Sequence, residues 1–262
     1  MEIAGYIASL FIGISLGLIG GGGSILTVPV LVYLFAVSPT MAISYSLFIV
    51  GVTSLVGAFN NYLKGLVNFK TVLLFGSSSI TIVFIVRKFL IPFLPDVFFK
   101  LGTFNVTHGL FVMVVFAILM VAASVSMIRG KKVEAETKAK FNPGILIFYG
   151  VLIGMVTGFL GAGGGFLLIP ALVILMKLPM KEAIGTSLLI IALNSLIGFI
   201  ADIGQHHIDW MFIIIITLIA IAGIFIGGYF NQKVNSSKLK KGFGWFVLVM
   251  GVYIIVREIF FN

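Results

Sequence analysis

The stretches Ile19-Gly20-Gly21-Gly22-Gly23-Ser24 and Leu160-Gly161-Ala162-Gly163-Gly164-Gly165 lie 141 residues apart and interrupt sequence that is otherwise almost wholly apolar. Glycine in tandem opens backbone conformations closed to other residues and disfavours a continuous helix. Apolar segments flank the two breaks, at 3–19 and 24–36 and at 143–160 and 165–177. Each is shorter than the roughly 20 residues a helix needs to cross a hydrocarbon layer of about 30 Å. Two elbows joining partial helices are therefore expected.

Further apolar segments run over 39–59, 70–91, 106–128, 181–201, 209–230 and 240–259, giving ten in all. The 262 residues are 60% hydrophobic and 10% charged, with a mean hydropathy of +1.24. A soluble domain carries nearer a quarter charged residues, and a single core stops growing at about this length. The chain reads as an all-α polytopic membrane protein, which sets aside soluble enzymes, nucleic-acid binders and secreted disulfide scaffolds. Its net charge of +9 sits mainly in short loops, where cations report insertion orientation. With no cysteine, thiolate metal sites are excluded. The run Gln205-His206-His207-Ile208-Asp209 lacks the i,i+4 spacing of helical ligands, so no metal or cofactor is expected. Glu2 stands where a signal peptide has basic residues, so the first segment is expected to remain.

A shift of 141 residues lays Gly13, Gly17, Gly20, Gly22, Gly23 and Pro29 on Gly154, Gly158, Gly161, Gly163, Gly164 and Pro170. Over 12–57 there are 19 identities in 46 positions without a gap. This predicts an internal duplication, a mark of transporter folds. Membrane repeats at 1–128 and 143–262 flank a charged linker at 129–142. If the chain reverses at each elbow, 13 of the 17 Lys and Arg residues fall on the linker's side and four, Arg87, Lys88, Lys100 and Arg257, on the other. One long span over 3–36 would divide them 8 to 9. The first division follows the positive-inside bias. It predicts two inverted-topology repeats of five segments, a cytoplasmic linker and both termini outside.

A helix beginning near Ser24 or Gly165 turns unpaired backbone N–H groups toward its elbow, and their partial positive charge suits an anion. Gly20, Gly21, Gly22, Gly23 and Ser24, with Gly161, Ala162, Gly163, Gly164 and Gly165, are thus the candidate substrate-lining residues. Tight helix packing is the other use of such glycines. It is the reading for Ser9, Gly13 and Gly17 and for Gly150, Gly154 and Gly158, whose four-residue spacing makes a small-residue face. A P-loop is excluded because no Lys-Ser or Lys-Thr follows either cluster.

The doubled Gly-x-x-Gly-x-Gly-Gly elbow with Pro29 or Pro170 behind it, and the Ala-Ile-x-x-Ser-Leu stretch at 42–47 and 183–188, resemble the TauE/SafE sulfite-exporter-like family, also called the toluene-sulfonate uptake permease family. The resemblance extends over essentially the whole chain. It implies a multi-pass inner-membrane transporter of small sulfur-containing anions such as sulfite, thiosulfate or organosulfonates. It also implies a pathway lined by the two elbows and by polar residues of the two motif helices. The halves differ at Ser44-Tyr45 against Gly185-Thr186.

On those motif helices, Ser46, Thr53 and Ser54 pair with Ser187, Asn194 and Ser195 across the repeat, and the seven-residue spacing of 46 to 53 and 187 to 194 puts each pair on one face. With Thr186, the serines 46, 54, 187 and 195 and Asn194 are candidate substrate contacts. For the hydroxyls, bonding back to their own helix is an equal alternative. Ser77, Ser78, Ser79 and Thr81 read as helix packing, His108 as an interfacial hydrogen bond, and Asn68 and Asp209 as helix N-caps. No acidic residue is expected clearly inside a span, Asp202 standing at an edge, which disfavours coupling through a buried carboxylate. Export as a uniport by alternating access between the elbows is the expected function, with uptake or an anion channel on the same scaffold as the alternatives. Substrate anion and bilayer are the expected partners. No enzyme activity is expected, since three scattered histidines and no cysteine leave little catalytic equipment.

Overall fold

The computed structural model describes residues 2–21, 23–95, 97–101, 104–129, 143–161, 164–176, 178–204, 208–231 and 236–260. Among the described residues ten helices occupy the ten apolar segments. The first five are α1 (Glu2–Ile19), α2 (Ser24–Tyr33), α3 (Pro39–Leu63), α4 (Phe69–Phe93) and α5 (His108–Arg129). The second five are α6 (Pro143–Leu160), α7 (Gly165–Leu175), α8 (Met180–Asp202), α9 (Trp210–Asn231) and α10 (Ser236–Phe260). Helix α4 is π-helical over Val72–Gly76 and Val86–Leu90. A short antiparallel hairpin of β1 (Val97–Leu101) and β2 (Phe104–Thr107) joins α4 to α5, a small departure from an all-helical chain. The charged linker 130–142 lies outside the described residues.

Helices α3, α4, α5, α8 and α9 are long and apolar enough to cross a membrane. They turn large apolar side chains outward, among them Phe59, Leu73 and Leu218, as a hydrocarbon surround permits. The caps expected at Asn68 and Asp209 are present: each side-chain oxygen accepts from the backbone N–H three residues on, Thr71 at 3.1 Å and Phe212 at 3.0 Å. They start α4 and α9, which the 141-residue shift makes equivalent.

Both glycine clusters break the helix, as expected. Gly20, Gly161 and Gly164 take positive φ of 79°, 63° and 63°, a region that side chains with a Cβ rarely enter. After the first break the chain comes back on itself. Phe35, just beyond α2, stacks edge-on against Tyr6 near the start of α1, ring centroids 5.4 Å apart, and leaves no room for a Cβ on Gly5. Residues 3–36 are therefore a hairpin of partial helices and not one long span.

The halves pack by exchange. Helix α1 lies against α9 and α6 against α4, with Gly13 on Ala220 and Gly154 on Ser79, which are equivalent contacts under the shift. Gly17 on Ile224 and Gly158 on Val83 repeat the pattern one turn later. These are the small-residue faces read from the sequence. In apolar surroundings close backbone approach, which only small residues allow, supplies much of helix association. Helices α3 and α8 cross at the centre, where a Cβ on Gly51 would meet Leu196, one on Gly57 Leu188, and one on Gly198 Leu47. Rising numbers on one helix meet falling numbers on the other, so these two equivalent helices run antiparallel. The buried core, with Leu16, Ile25, Ile43, Leu47, Ile49 and Leu188, gathers around this crossing.

Candidate functional site

The two elbows touch. A Cβ on Gly165 would lie 2.7 Å from the Gly21 Cα, and one on Gly21 would run into the Gly165 carbonyl. Each elbow also rests on the motif helix of the opposite half: Gly20 on Ile184 of α8, and Gly161 on Ile43 of α3. Ile43 and Ile184 are equivalent under the shift, so the two elbow seats are the same interaction made twice. Gly22, Ala162 and Gly163 lie outside the described residues.

Side-chain hydroxyls finish the elbow ends. Ser24 donates to the Gly21 carbonyl at 2.8 Å, and Ser46 of α3 donates to the Gly161 carbonyl across the interface between the halves. Ser187, its sequence equivalent, instead donates to its own helix at the Ile184 carbonyl, 2.9 Å away. Thr186 is held elsewhere: its hydroxyl accepts the Asn68 N–H at 2.9 Å, at the start of α4. Tyr45 does the same for the Asp209 N–H, also at 2.9 Å, at the start of α9. The Ser44-Tyr45 and Gly185-Thr186 difference thus leaves one linkage intact in both halves, made by a phenol in one and an alcohol in the other.

A second polar group lies where α3 and α8 cross. Thr53, Ser54, Asn194 and Ser195 are fully buried. The Asn194 amide donates to the Ser79 hydroxyl at 2.7 Å, while its carbonyl oxygen and the hydroxyls of Thr53, Ser54 and Ser195 have no hydrogen-bond partner. The Thr157 hydroxyl is also unpartnered, and it sits so close to Gly164 that a Cβ there would strike it. Buried polar atoms without partners are uncommon and costly. Thr157 carries no signal in the sequence beyond its place four residues before an elbow. Among the serines at 77–79, Ser78 packs on Gly150 as a helix contact, whereas Ser79 joins Asn194.

An open cavity of about 260 Å³ leads in from one face, lined by Gly17, Asn60, Asn61, Lys64, Leu66, Lys181, Ile184, Gly228 and Asn231. This is the face where α3 and α9 end and α8 begins. A narrower recess of about 10 Å³ continues it beside Gly57 and Leu188, room for about one water. The inner wall reaches Ile184, the residue on which Gly20 rests. Two lysines, three asparagines and no acid line this vestibule, a composition that draws anions. Asn231 donates to the Leu18 carbonyl at 2.9 Å, tying α9 to the end of α1. The sequence singled out none of these vestibule residues as a site, although Asn60-Asn61 is a pair of amides at the end of an apolar run.

Toward the other end of α3 and α8 lies a buried cluster of charge. The Arg87 Nε donates to Asp202 at 2.8 Å, a second guanidinium nitrogen donates to the other carboxylate oxygen, and Ser44 bridges both partners, donating to Asp202 at 2.5 Å and accepting from Arg87 at 3.1 Å. All three side chains are buried. Arg87, counted from sequence among the four cations on the outer side, is thus in the interior. A further acid, Glu258 of α10, is buried and accepts the Tyr33 hydroxyl at 2.7 Å. Both acids stand at helix ends, Asp202 closing α8 and Glu258 two residues before the end of α10. Asp202 ends α8 as its sequence position suggested, but inward packing of α4 shields it from solvent.

Among the described residues no group of three or more His, Asp or Glu side chains is placed to hold a metal; His206 and His207 lie outside them. The family model "Sulfite exporter TauE/SafE" matches residues 6–254. A probable membrane transporter protein of Xylella fastidiosa is 29% identical over 256 residues, covering 94% of this chain and 92% of its own. Relatives of the same description from Bacillus subtilis and Methanocaldococcus jannaschii are 26% and 25% identical, covering 93% and 95% of this chain and 93% and 94% of their own. No solved structure matches.

Proposed function

Because the chain belongs to the sulfite exporter TauE/SafE family, a family of multi-pass membrane transporters, we propose that it carries small sulfur oxyanions out of the cell by alternating access at the paired elbows. The observation that carries this is the contact of Gly21 with Gly165, two naked backbone turns from opposite halves meeting beside a cation-lined vestibule. Sulfite, thiosulfate and organosulfonates share a compact set of charged oxygens. Backbone N–H groups at a helix start bind such oxygens without a cationic side chain, and the unpartnered hydroxyls of Thr53, Ser54, Ser195 and Thr157 are further donors. Lys64 and Lys181 raise the local anion concentration at the mouth.

The vestibule side is read as cytoplasmic, with the linker on it and both termini on the far side of the inner membrane. The antiparallel α3 and α8 and the exchanged contacts of α1 with α9 and α6 with α4 support inverted repeats. Halves so related can rock about a two-fold axis and expose one site to each face in turn. An inside-negative potential drives an anion outward by about 2.3 kcal/mol per charge per 100 mV, so export needs no coupling ion.

Among the described residues the elbows meet backbone to backbone at Gly21 and Gly165, which favours a carrier over a channel. Radiolabelled sulfite counterflow in proteoliposomes tests this. Unlabelled sulfite inside is expected to accelerate entry of labelled sulfite several-fold. A flux insensitive to internal sulfite, accompanied by single-channel currents, would sink the carrier reading.

A further inference from the structure

The 141-residue shift that equates the two halves maps the buried Arg87, Asp202 and Ser44 onto Gly228, Asn61 and Gly185. The first three form a closed, charge-assisted cluster on one face. Of their equivalents, Asn61 and Gly228 line the open vestibule on the other, and Gly185 packs beside Asn61. Around Gly228 a Cβ would find nothing nearer than the Asn60 amide at 3.8 Å, and Asn61 spends its amide on its own helix, at the Gly57 carbonyl. The same place in the fold is thus plugged on one side and hollow on the other. Each of the three groups that make the plug is missing from the hollow.

We infer that Arg87, Asp202 and Ser44 are the gate that shuts the route opposite the vestibule. The inference rests on the alternating-access reading above. Arg87 of α4 and Ser44 of α3 belong to one half and Asp202 of α8 to the other, so relative movement of the halves parts Asp202 from its two partners. Nothing else in the mechanism uses these charges. A buried ion pair is a poor source of stability, but it suits a latch: closed, it is fully satisfied internally, and opened, both partners meet water.

The absence of cysteine makes the test direct. Asn60 in the vestibule and Ala201, next to Asp202 and 1% exposed, are equivalent positions in the two halves. Single Asn60→Cys and Ala201→Cys proteins in proteoliposomes report each face to a membrane-impermeant thiol reagent. Asn60→Cys is expected to react at least about tenfold faster than Ala201→Cys, since reactivity follows the open fraction. Adding Asp202→Asn is expected to raise labelling of Ala201→Cys about tenfold and to lower that of Asn60→Cys. The exchanged pair Arg87→Asp with Asp202→Arg is expected to restore the original order.

Unchanged labelling in Asp202→Asn, or a rise at both reporters together, would overturn the gate, the second outcome marking a merely structural clasp. If Asp202→Asn does not fold, the milder Ser44→Ala is read in its place, with a smaller reciprocal shift expected and the same overturning results. Reciprocal labelling in a protein that moves no sulfite would keep the gate and reject the substrate reading.

Discussion

The two ends of the central helix pair are built on one plan and finished with different chemistry. Where α3 begins and α8 ends, Arg87, Asp202 and Ser44 close the interior; where α3 ends and α8 begins, Asn61, Gly228 and Gly185 leave it open beside Lys64 and Lys181. The backbone contacts beneath are the same in both: Gly161 on Ile43, Gly20 on Ile184, and a side-chain hydroxyl holding the start of the next helix. A repeated scaffold thus supplies two equivalent helix ends, one finished with a buried ion pair and the other with a cavity.

The largest expected effect on this contrast comes from halving the ion pair. Asp202→Asn or Arg87→Gln leaves a buried charge without its partner, which costs about 3–5 kcal/mol, and detergent-solubilised protein is expected to lose thermal stability to match. Replacing both, Arg87→Met with Asp202→Leu, removes the two charges together and is expected to recover most of that loss. Equal loss in single and double variants would mean that packing and not charge closes this face.

The open mouth responds less. Lys64→Gln and Lys181→Gln are each expected to raise the KM for sulfite export roughly three- to tenfold and leave kcat near its parent value, with the effect shrinking as salt rises and screens the field. A fall in kcat at constant KM would place the lysines in the moving machinery. The smallest effect is expected at the helix-start linkages. Tyr45→Phe and Thr186→Val each remove one hydrogen bond, worth about 0.5–1.5 kcal/mol, and unfolding by denaturant should show similar losses for the two. A large difference would show that the halves do not share this bond's energetics.

Much of the architecture was legible in the sequence because glycine and proline report backbone directly. The two elbows, the repeat, the reversal between α1 and α2 and the small-residue faces all follow from Gly13, Gly17, Gly20, Gly154, Gly158 and Gly161, whose roles are local or periodic. The site was legible only in part. Ser24 and Ser46, candidate substrate contacts, donate to elbow carbonyls, and Ser187 turns back on its own helix, the alternative the sequence left open, but nothing local reveals that Thr186 belongs to α4. Arg87 misleads because its neighbour Lys88 and its distance from the elbows make it look like a loop cation; only packing of α4 against α8 buries it. The vestibule arises from helix ends far apart in sequence, and no single segment contains its shape.

The central claim is that the anion passes the contact between Gly21 and Gly165, and sulfite flux through elbow variants measures it most directly. In Gly21→Ala and Gly165→Ala a methyl group collides with the facing elbow's backbone, so flux is expected to fall at least about a hundredfold (about 2.7 kcal/mol on the barrier) in protein that remains monodisperse. Ser9→Ala, a change on the packing face of α1, should leave flux within about twofold of the parent. Elbow variants that fold and still carry sulfite at the parent rate would contradict the account.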